Sequence, residues 1–360
     1  MSVLIRAGVR RRLPALVESL RAARVLVVAS PRAARCSGVL DLREYAEVRQ
    51  FTGFTPNPTI EQVLAGSGVR ASWRPDLIVA AGGGSTLDTA KLLRSLPATM
   101  DGALEVLSGR RAPDEHRPPL IALPTTAGSG SEVTRFATVY VRGVKASLDH
   151  DSVLPDHALV DPDLLSDCPR RLASSCAFDA LCHAVESYWS RRAGPFSRAL
   201  ALAALRQLIP LLAGGRLTVS DGDRRGRLAH AATTAGLAID HTRTTAAHAF
   251  AYKLTADHGV HHGTACLLNL IWVYRYNMRH LDPMPELAQA LAALAPDGDV
   301  PAGLRALLAR AGLPDRLGAY GVRRRHLAAL AEAGTCSARS ANNPVDLTGG
   351  TAVGELATML

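Results

Sequence analysis

The chain changes its hydrophobic period near residue 163, and that change limits the folds open to it. Before it, short apolar, β-branched runs alternate with helical stretches: RVLVVA from Arg24 to Ala29, LIVAA from Leu77 to Ala81, then Leu120 to Leu123 and Ala158 to Val160. Strands spaced by helices make a parallel sheet covered on both faces. From Asp163 onward, Ala/Leu-rich segments such as Ser197 to Leu212 and Pro301 to Ala311 carry helical spacing instead. The expected organisation is an α/β domain over 1–162 followed by an all-α domain over 163–360, with Pro162 in a first-turn position at the junction. A chain of 360 residues has enough interior for both.

Composition narrows the function classes. The net charge is +9, but the basic residues are dispersed among acidic ones and aromatics make up only 4% of the chain, which argues against a nucleic-acid face. No stretch of eighteen residues runs free of charge or helix breakers, so no membrane span is expected. The N-terminus lacks the pattern of an export signal, and the six cysteines form no CxxC pair. Both features suit a reducing compartment, here the cytoplasm.

Two loops follow predicted strands. GGGSTLDTAK runs from Gly82 to Lys91, between LIVAA and a helix. Gly82, Gly83 and Gly84 would let a phosphate approach the backbone, with the free N–H groups and positive end of the next helix aimed at it. Ser85 with Asp88 has the spacing of a capping box. The run is neither a GxGxxG fingerprint nor a Walker loop, and Lys91 lies too far into the helix to hold a phosphate. The second loop, LPTTAGSGSEVT from Leu123 to Thr134, offers Thr125, Thr126 and Ser129 to a ribose, pyrophosphate or carboxamide.

The third constellation is metal-binding in type. Asp179 and His183 lie four residues apart in AFDALCHAVESYW and share one helix face. Downstream, AAHAFAYKLTADHGVHHG supplies His248, Tyr252, His258, His261 and His262. One carboxylate with two or more imidazoles suits divalent zinc or iron. The six cysteines read as buried thiols.

Together GGGSTLDTAK, LPTTAGSGSEVT, the FDALCHAVESY helix and the His248 to His262 segment resemble the iron-containing, or group III, alcohol dehydrogenases. The order and spacing hold from Phe54 (FTPNPTIEQV) to Asn277, with a weaker NNP echo at Asn342 to Pro344. The resemblance implies the dehydroquinate synthase-like fold: an N-terminal dinucleotide-binding α/β domain and a helical C-terminal domain, with NAD(P)H and one Fe2+ or Zn2+ as cofactors. It puts the metal on Asp179, His183, His248 and His262. It puts the pyrophosphate side of the cofactor on Gly82 to Ser85 with Asp88, and the nicotinamide side on Thr125, Thr126, Ser129 and Thr134, with Lys145 near the nicotinamide ribose.

Two positions depart from the family. Tyr252 stands where members carry another histidine thought to help proton transfer, which makes Tyr252 the expected catalytic residue and leaves His258 and His261 as other candidates. At the end of the first strand, Ser30, followed by Pro31, Arg32 and Arg35, replaces an aspartate that binds the adenine ribose, so NADPH is expected to be accepted. The implied function is a metal-dependent alcohol dehydrogenase or aldehyde reductase acting on a small aldehyde or alcohol, as a homodimer or higher homo-oligomer. The positive charge, with Arg135, Arg198 and Arg243 near the motifs, favours an anionic aldehyde such as phosphonoacetaldehyde. The rival is a dehydroquinate-synthase-like lyase, expected to carry more lysines and arginines for a phosphorylated sugar acid.

Overall fold

The computed structural model describes residues 1–215, 217–295 and 297–360. They form two compact units, Met1–Asp167 and Cys168–Leu360.

The first unit is built on a six-stranded parallel sheet: β1 (Ser2–Ile5), β2 (Arg24–Val28), β3 (Glu47–Phe51), β4 (Leu77–Gly82), β5 (Leu120–Pro124) and β8 (His157–Val160), in the order β1-β8-β5-β4-β2-β3. An antiparallel hairpin, β6 (Phe136–Val141) with β7 (Val144–Asp149), stands apart from it. Helices α1 (Leu13–Ser19), α2 (Pro31–Ser37), α3 (Ile60–Trp73), α4 (Gly84–Ser95) and α5 (Met100–Leu107) make the crossovers. Because β4 is covered on both faces, all six of its residues are buried, and successive side chains feed opposite cores. Leu77, Val79 and Ala81 join Val25 and Val27 on one side, while Ile78 and Ala80 join Leu26 and Val28 on the other.

The register pairs Val28 with Ala80 and Gly82 with Pro124, so β2, β4 and β5 end at one edge of the sheet. The chain leaves that edge through Ser30, Gly83 and Thr125. In an open parallel sheet, the carboxyl ends of the strands are where ligands bind.

A short 3-10 turn, Pro162–Leu165, capped by Asp161, closes this unit. The second unit contains no strand among its described residues: α6 (Arg170–Trp189), α7 (Pro195–Ala213), α8 (Gly222–Thr242), α9 (Ala246–His258), α10 (His262–Met278), α11 (Pro285–Leu291), α12 (Val300–Ala311), α13 (Leu327–Thr335) and α14 (Gly349–Ala357). Helix α6 is buried on every side from Ala177 to Trp189 and packs against α7, α8 and α10. A helix buried all round is the centre of a bundle, and its polar side chains must find partners inside. Among the described residues α7 alone is long and apolar enough to cross a membrane. It carries Arg198, Arg206 and Pro210, and its apolar residues Ala201, Leu205 and Leu208 are buried within the bundle.

Candidate metal centre and cofactor loops

In the first unit the glycine loop and the hydroxyl-rich loop lie against each other. Thr125 donates its backbone N–H to the Gly82 carbonyl at 2.9 Å. A Cβ on Gly84 would come within 2.9 Å of Ser129 Oγ, and one on Gly82 within 2.3 Å of Thr86 Oγ1, so the contact requires glycine. Gly83, Gly84, Ser85, Thr125, Thr126 and Ser129 are all half-buried around this junction. The expected capping box does not form. Gly83, in extended conformation, begins α4, and Ser85 falls inside the first turn, where its Oγ accepts from the Asn57 N–H at 3.2 Å.

Asp88 faces the interior of its own unit. Its carboxylate accepts from Ser131 Oγ at 2.6 Å and from Thr138 N and Oγ1 at 2.9 and 2.8 Å. Lys91, with no exposed surface, donates to the carbonyls of Ser131 and Phe136, each at 2.8 Å, and to Thr134 Oγ1 at 3.3 Å. Thr134 is likewise fully buried. These residues therefore fasten the second loop and the β6–β7 hairpin to α4, whereas Lys145, paired opposite Tyr140 on β7, is half-exposed. Ser30 caps α2 by accepting from the Ala33 N–H at 3.2 Å, and Arg32 donates to the Asp167 carbonyl at 2.8 Å.

The second unit brings together Asp179 and His183 from α6, His248 from α9 and His262, the first residue of α10. Three imidazole Nε2 atoms converge on one oxygen, Asp179 Oδ1: His248 at 3.2 Å, His183 at 3.7 Å and His262 at 3.9 Å. The His183 and His248 rings stack at 4.7 Å between centroids. Donor atoms of Asp179, His248, His262 and Cys266 all lie within 4.8 Å of one another. Burial opposes ionisation of Asp179, but the surrounding His183, His248 and His262 outweigh it and hold the carboxyl well below the usual carboxylate range. Burial pushes the Cys266 thiol up to about 11.

Glu186, which the sequence reading missed, organises this cluster. It is fully buried; its Oε1 accepts from Thr245 N and Oγ1 and from Ala247 N at 3.1, 2.7 and 2.8 Å, capping the start of α9, while Oε2 meets His248 Nδ1. A carboxylate on the far nitrogen of a histidine fixes the tautomer that offers the other nitrogen to a metal. Its sequence signal was the helix stripe: Glu186 lies seven residues after Asp179 and three after His183. The NNP echo also has a structural part. Asn342 Nδ2 donates to the carbonyls of Thr242 and Thr244 at 2.8 and 3.0 Å, holding the loop that leads into α9.

Tyr252, one turn after His248, stacks its ring on His262 at 5.7 Å and 13°. His258 packs instead against His326, and His261, exposed, is the N-cap of α10. The donor set fits a divalent Zn2+ or Fe2+, with one carboxylate, several imidazoles and a partner behind His248.

A buried carboxylate–imidazole centre on a helical unit, joined in sequence to a parallel-sheet unit with a glycine loop at its carboxyl edge, defines a metal- and nicotinamide-dependent oxidoreductase. The model described as "Iron-containing alcohol dehydrogenase" matches residues 2–162, and that of the "Fe-containing alcohol dehydrogenase family, C-terminal" matches residues 173–356; the chain belongs to the iron-containing alcohol dehydrogenase family. Long-chain-alcohol dehydrogenase 1 of Geobacillus thermodenitrificans is 32% identical over 323 residues, covering 85% of this chain and 81% of that protein. A 1-propanol dehydrogenase of Citrobacter freundii is 33% identical over 234 residues, 64% of this chain and 59% of its own length. Among solved structures, the sulfoacetaldehyde reductase of Bifidobacterium kashiwanohense, in complex with NAD+, superposes with a TM-score of 0.90 at 26% identity, covering 100% of this chain and 96% of that one. The dehydroquinate-synthase-like reading is not favoured.

Proposed function

We propose that the chain interconverts a small aldehyde and its primary alcohol, with the nicotinamide nucleotide held by the glycine and hydroxyl-rich loops of the first unit and Fe2+ or Zn2+ held by Asp179, His183, His248 and His262. The observation that carries this reading is the convergence of three Nε2 atoms on Asp179 Oδ1, with Asp179, His183 and His248 buried and His262 half-buried. A divalent ion in such a place acts as a Lewis acid on a substrate oxygen.

The chain's own residues have separable tasks. Glu186 holds the His248 Nδ1 proton, which leaves Nε2 as a lone-pair donor. Gly83, Gly84 and Ser85 present the N–H groups at the start of α4 to a pyrophosphate. Thr125, Thr126 and Ser129 supply hydroxyls beside them, and Asp88 and Thr134 keep those hydroxyls in place from beneath. Lys145 serves the nicotinamide ribose. Tyr252, stacked on His262, delivers and removes the proton at the substrate oxygen. Ser30 leaves room for a 2′-phosphate, so NADPH is accepted. The six thiols, none in a disulfide, suit the cytoplasm, and the enzyme works as a homo-oligomer.

The substrate class we favour is an anionic aldehyde, phosphonoacetaldehyde being one. The net charge of +9 supports this, as does the likeness to a protein named for sulfoacetaldehyde, itself an anion. The arginines near the motifs are engaged within the protein. Arg135 pairs with Asp151 at 3.1 Å, Arg243 lies 4.0 Å from Asp240, and Arg198 sits over the Tyr188 ring.

The test is anaerobic purification with metal analysis, followed by cofactor oxidation across neutral, carboxylated, sulfonated and phosphonylated aldehydes. His248→Ala and His262→Ala are expected to lose metal and activity together. Full activity in metal-free protein overturns the metal reading, and a flat substrate profile overturns the anionic one.

A further inference from the structure

We propose that the Cys266 thiol is a metal donor in this chain, completing with Asp179, His248 and His262 a mixed O, N and S set that favours zinc over iron. This rests on the metal centre proposed above but changes its ligand set, putting Cys266 in the place that the family resemblance gives to His183, which is not among the mutually close donors.

Cys266 lies four residues after His262 on α10, so both side chains leave the helix on one face. Its sulfur stands 3.7 Å from His262 Nε2, and it has no exposed surface. Two donors of one tetrahedral zinc, with Zn–S near 2.3 Å and Zn–N near 2.0 Å, lie about 3.5 Å apart, a separation the sulfur approaches; because it also stands 4.0 Å from His262 Nδ1, it lies beside the ring, and a turn about the Cys266 or His262 side-chain bonds brings it onto an ion held by Nε2. His248 Nε2 and Asp179 Oδ1, 3.2 Å apart, satisfy the same requirement. The other buried thiol, Cys182, is not in the group of mutually close donors.

The turn that carries His262 and Cys266 cannot drift away from α6. A Cβ on Gly263 would lie 1.9 Å from the Ser175 carbonyl oxygen, and Thr264 N donates to Ser175 Oγ at 3.1 Å. The α10 backbone is therefore pressed on the helix bearing Asp179, which keeps the Cys266 side chain within reach of the nitrogen and oxygen donors. Sulfur ligands select thiophilic ions, and a site with one thiolate ranks zinc above ferrous iron more strongly than a site of nitrogen and oxygen alone.

The experiment loads the full-length enzyme with Co2+ in place of its native metal and compares it with Cys266→Ser and Cys266→Ala. Binding is followed through the visible d–d bands, and sulfur ligation through thiolate-to-cobalt charge transfer in the near ultraviolet. The expected result is a charge-transfer band in the parent that both variants lose while keeping bound cobalt. In competition between Zn2+ and Fe2+, the variants should shift toward iron by roughly 10- to 100-fold, the range seen when a group supporting a metal site is removed. Melting curves of the metal-free proteins show that each variant is folded. Cobalt bound without charge transfer, or a band that survives in both variants, overturns the role of Cys266 and leaves the metal centre standing. Failure of the parent to bind cobalt, zinc or iron overturns both.

Discussion

Glu186 Oε2 meets His248 Nδ1 in the interior of the helical unit, where Glu186 is 0% and His248 2% exposed. The same carboxylate caps the first turn of α9 through Oε1, so one side chain sets both the position of that helix and the tautomer of its histidine. Glu186→Gln reverses this. The amide oxygen must face the backbone N–H groups of α9, which turns its NH2 toward Nδ1 and forces the proton to Nε2. We expect metal affinity to fall roughly 10- to 100-fold with the helical content unchanged. Metal titration with circular dichroism checks this, and unaltered affinity would remove the role assigned to Glu186.

Asp88 fastens the loop from Thr125 to Thr134 rather than reaching outward, because both of its oxygens accept from Ser131 and Thr138. Asp88→Ala should lower the stability of the cofactor-free protein by about 1–3 kcal/mol, the cost of stranding such donors, and should raise the KM for nicotinamide nucleotide more than it lowers kcat. A melting temperature equal to the parent's, with weakened cofactor binding, would instead assign Asp88 to direct contact.

Ser30→Asp tests the coenzyme reading without disturbing the fold, since aspartate caps a helix as well as serine does. The new charge at the end of β2 should depress kcat/KM for NADPH by at least roughly tenfold and leave NADH use largely intact. Equal kinetics with both coenzymes before and after the change would show that Ser30 does not face the ribose.

Glu355 ties α14 to α10 by accepting from Arg275 at 2.6 Å and from Arg279. Burial raises its carboxyl, but the two arginines outweigh it and hold the pKa below the ordinary 4.5. A depressed carboxylate stabilises the fold above its unfolded pKa, and the contribution disappears as pH falls through the folded value. Glu355→Gln should therefore cost about 1 kcal/mol at neutral pH, the arginines being partly exposed. The melting curves of parent and variant should converge below the ordinary carboxylate range. A gap independent of pH would exclude the ion pair as its source.

The features legible in the sequence were those with a strict period or fixed spacing. β2, β4, β5 and β8 were read from apolar runs, because strands buried on both faces carry no polar interruption. Asp179 and His183 were readable because four residues make one helix turn, and their type is rare inside an apolar helix. Glu186 belongs to the same stripe but went unremarked, since its partners, Thr245 at the N-cap of α9 and Ala247 and His248 within it, lie 59 to 62 residues further on. All six cysteines were read as buried thiols; Cys182 and Cys266 are, but Cys36 and Cys336 are exposed and Cys168 and Cys176 half-buried, because type alone does not say which helix or loop face a thiol takes. Ser85 was misread as a cap because Gly83, without a side chain to announce itself, starts α4 instead. The β6–β7 hairpin escaped notice because its strands are only partly buried and alternate weakly.

Gly263 sets a dimension as well as a contact. With Ser175 closed against it, the separation of Asp179 from the His262 turn is that of two backbones in touch, and no rotamer change can widen it. For the metal centre proposed above, this spacing suits a small ion with few donors and disfavours a calcium-sized cation, which asks for many oxygen ligands at 2.3–2.6 Å.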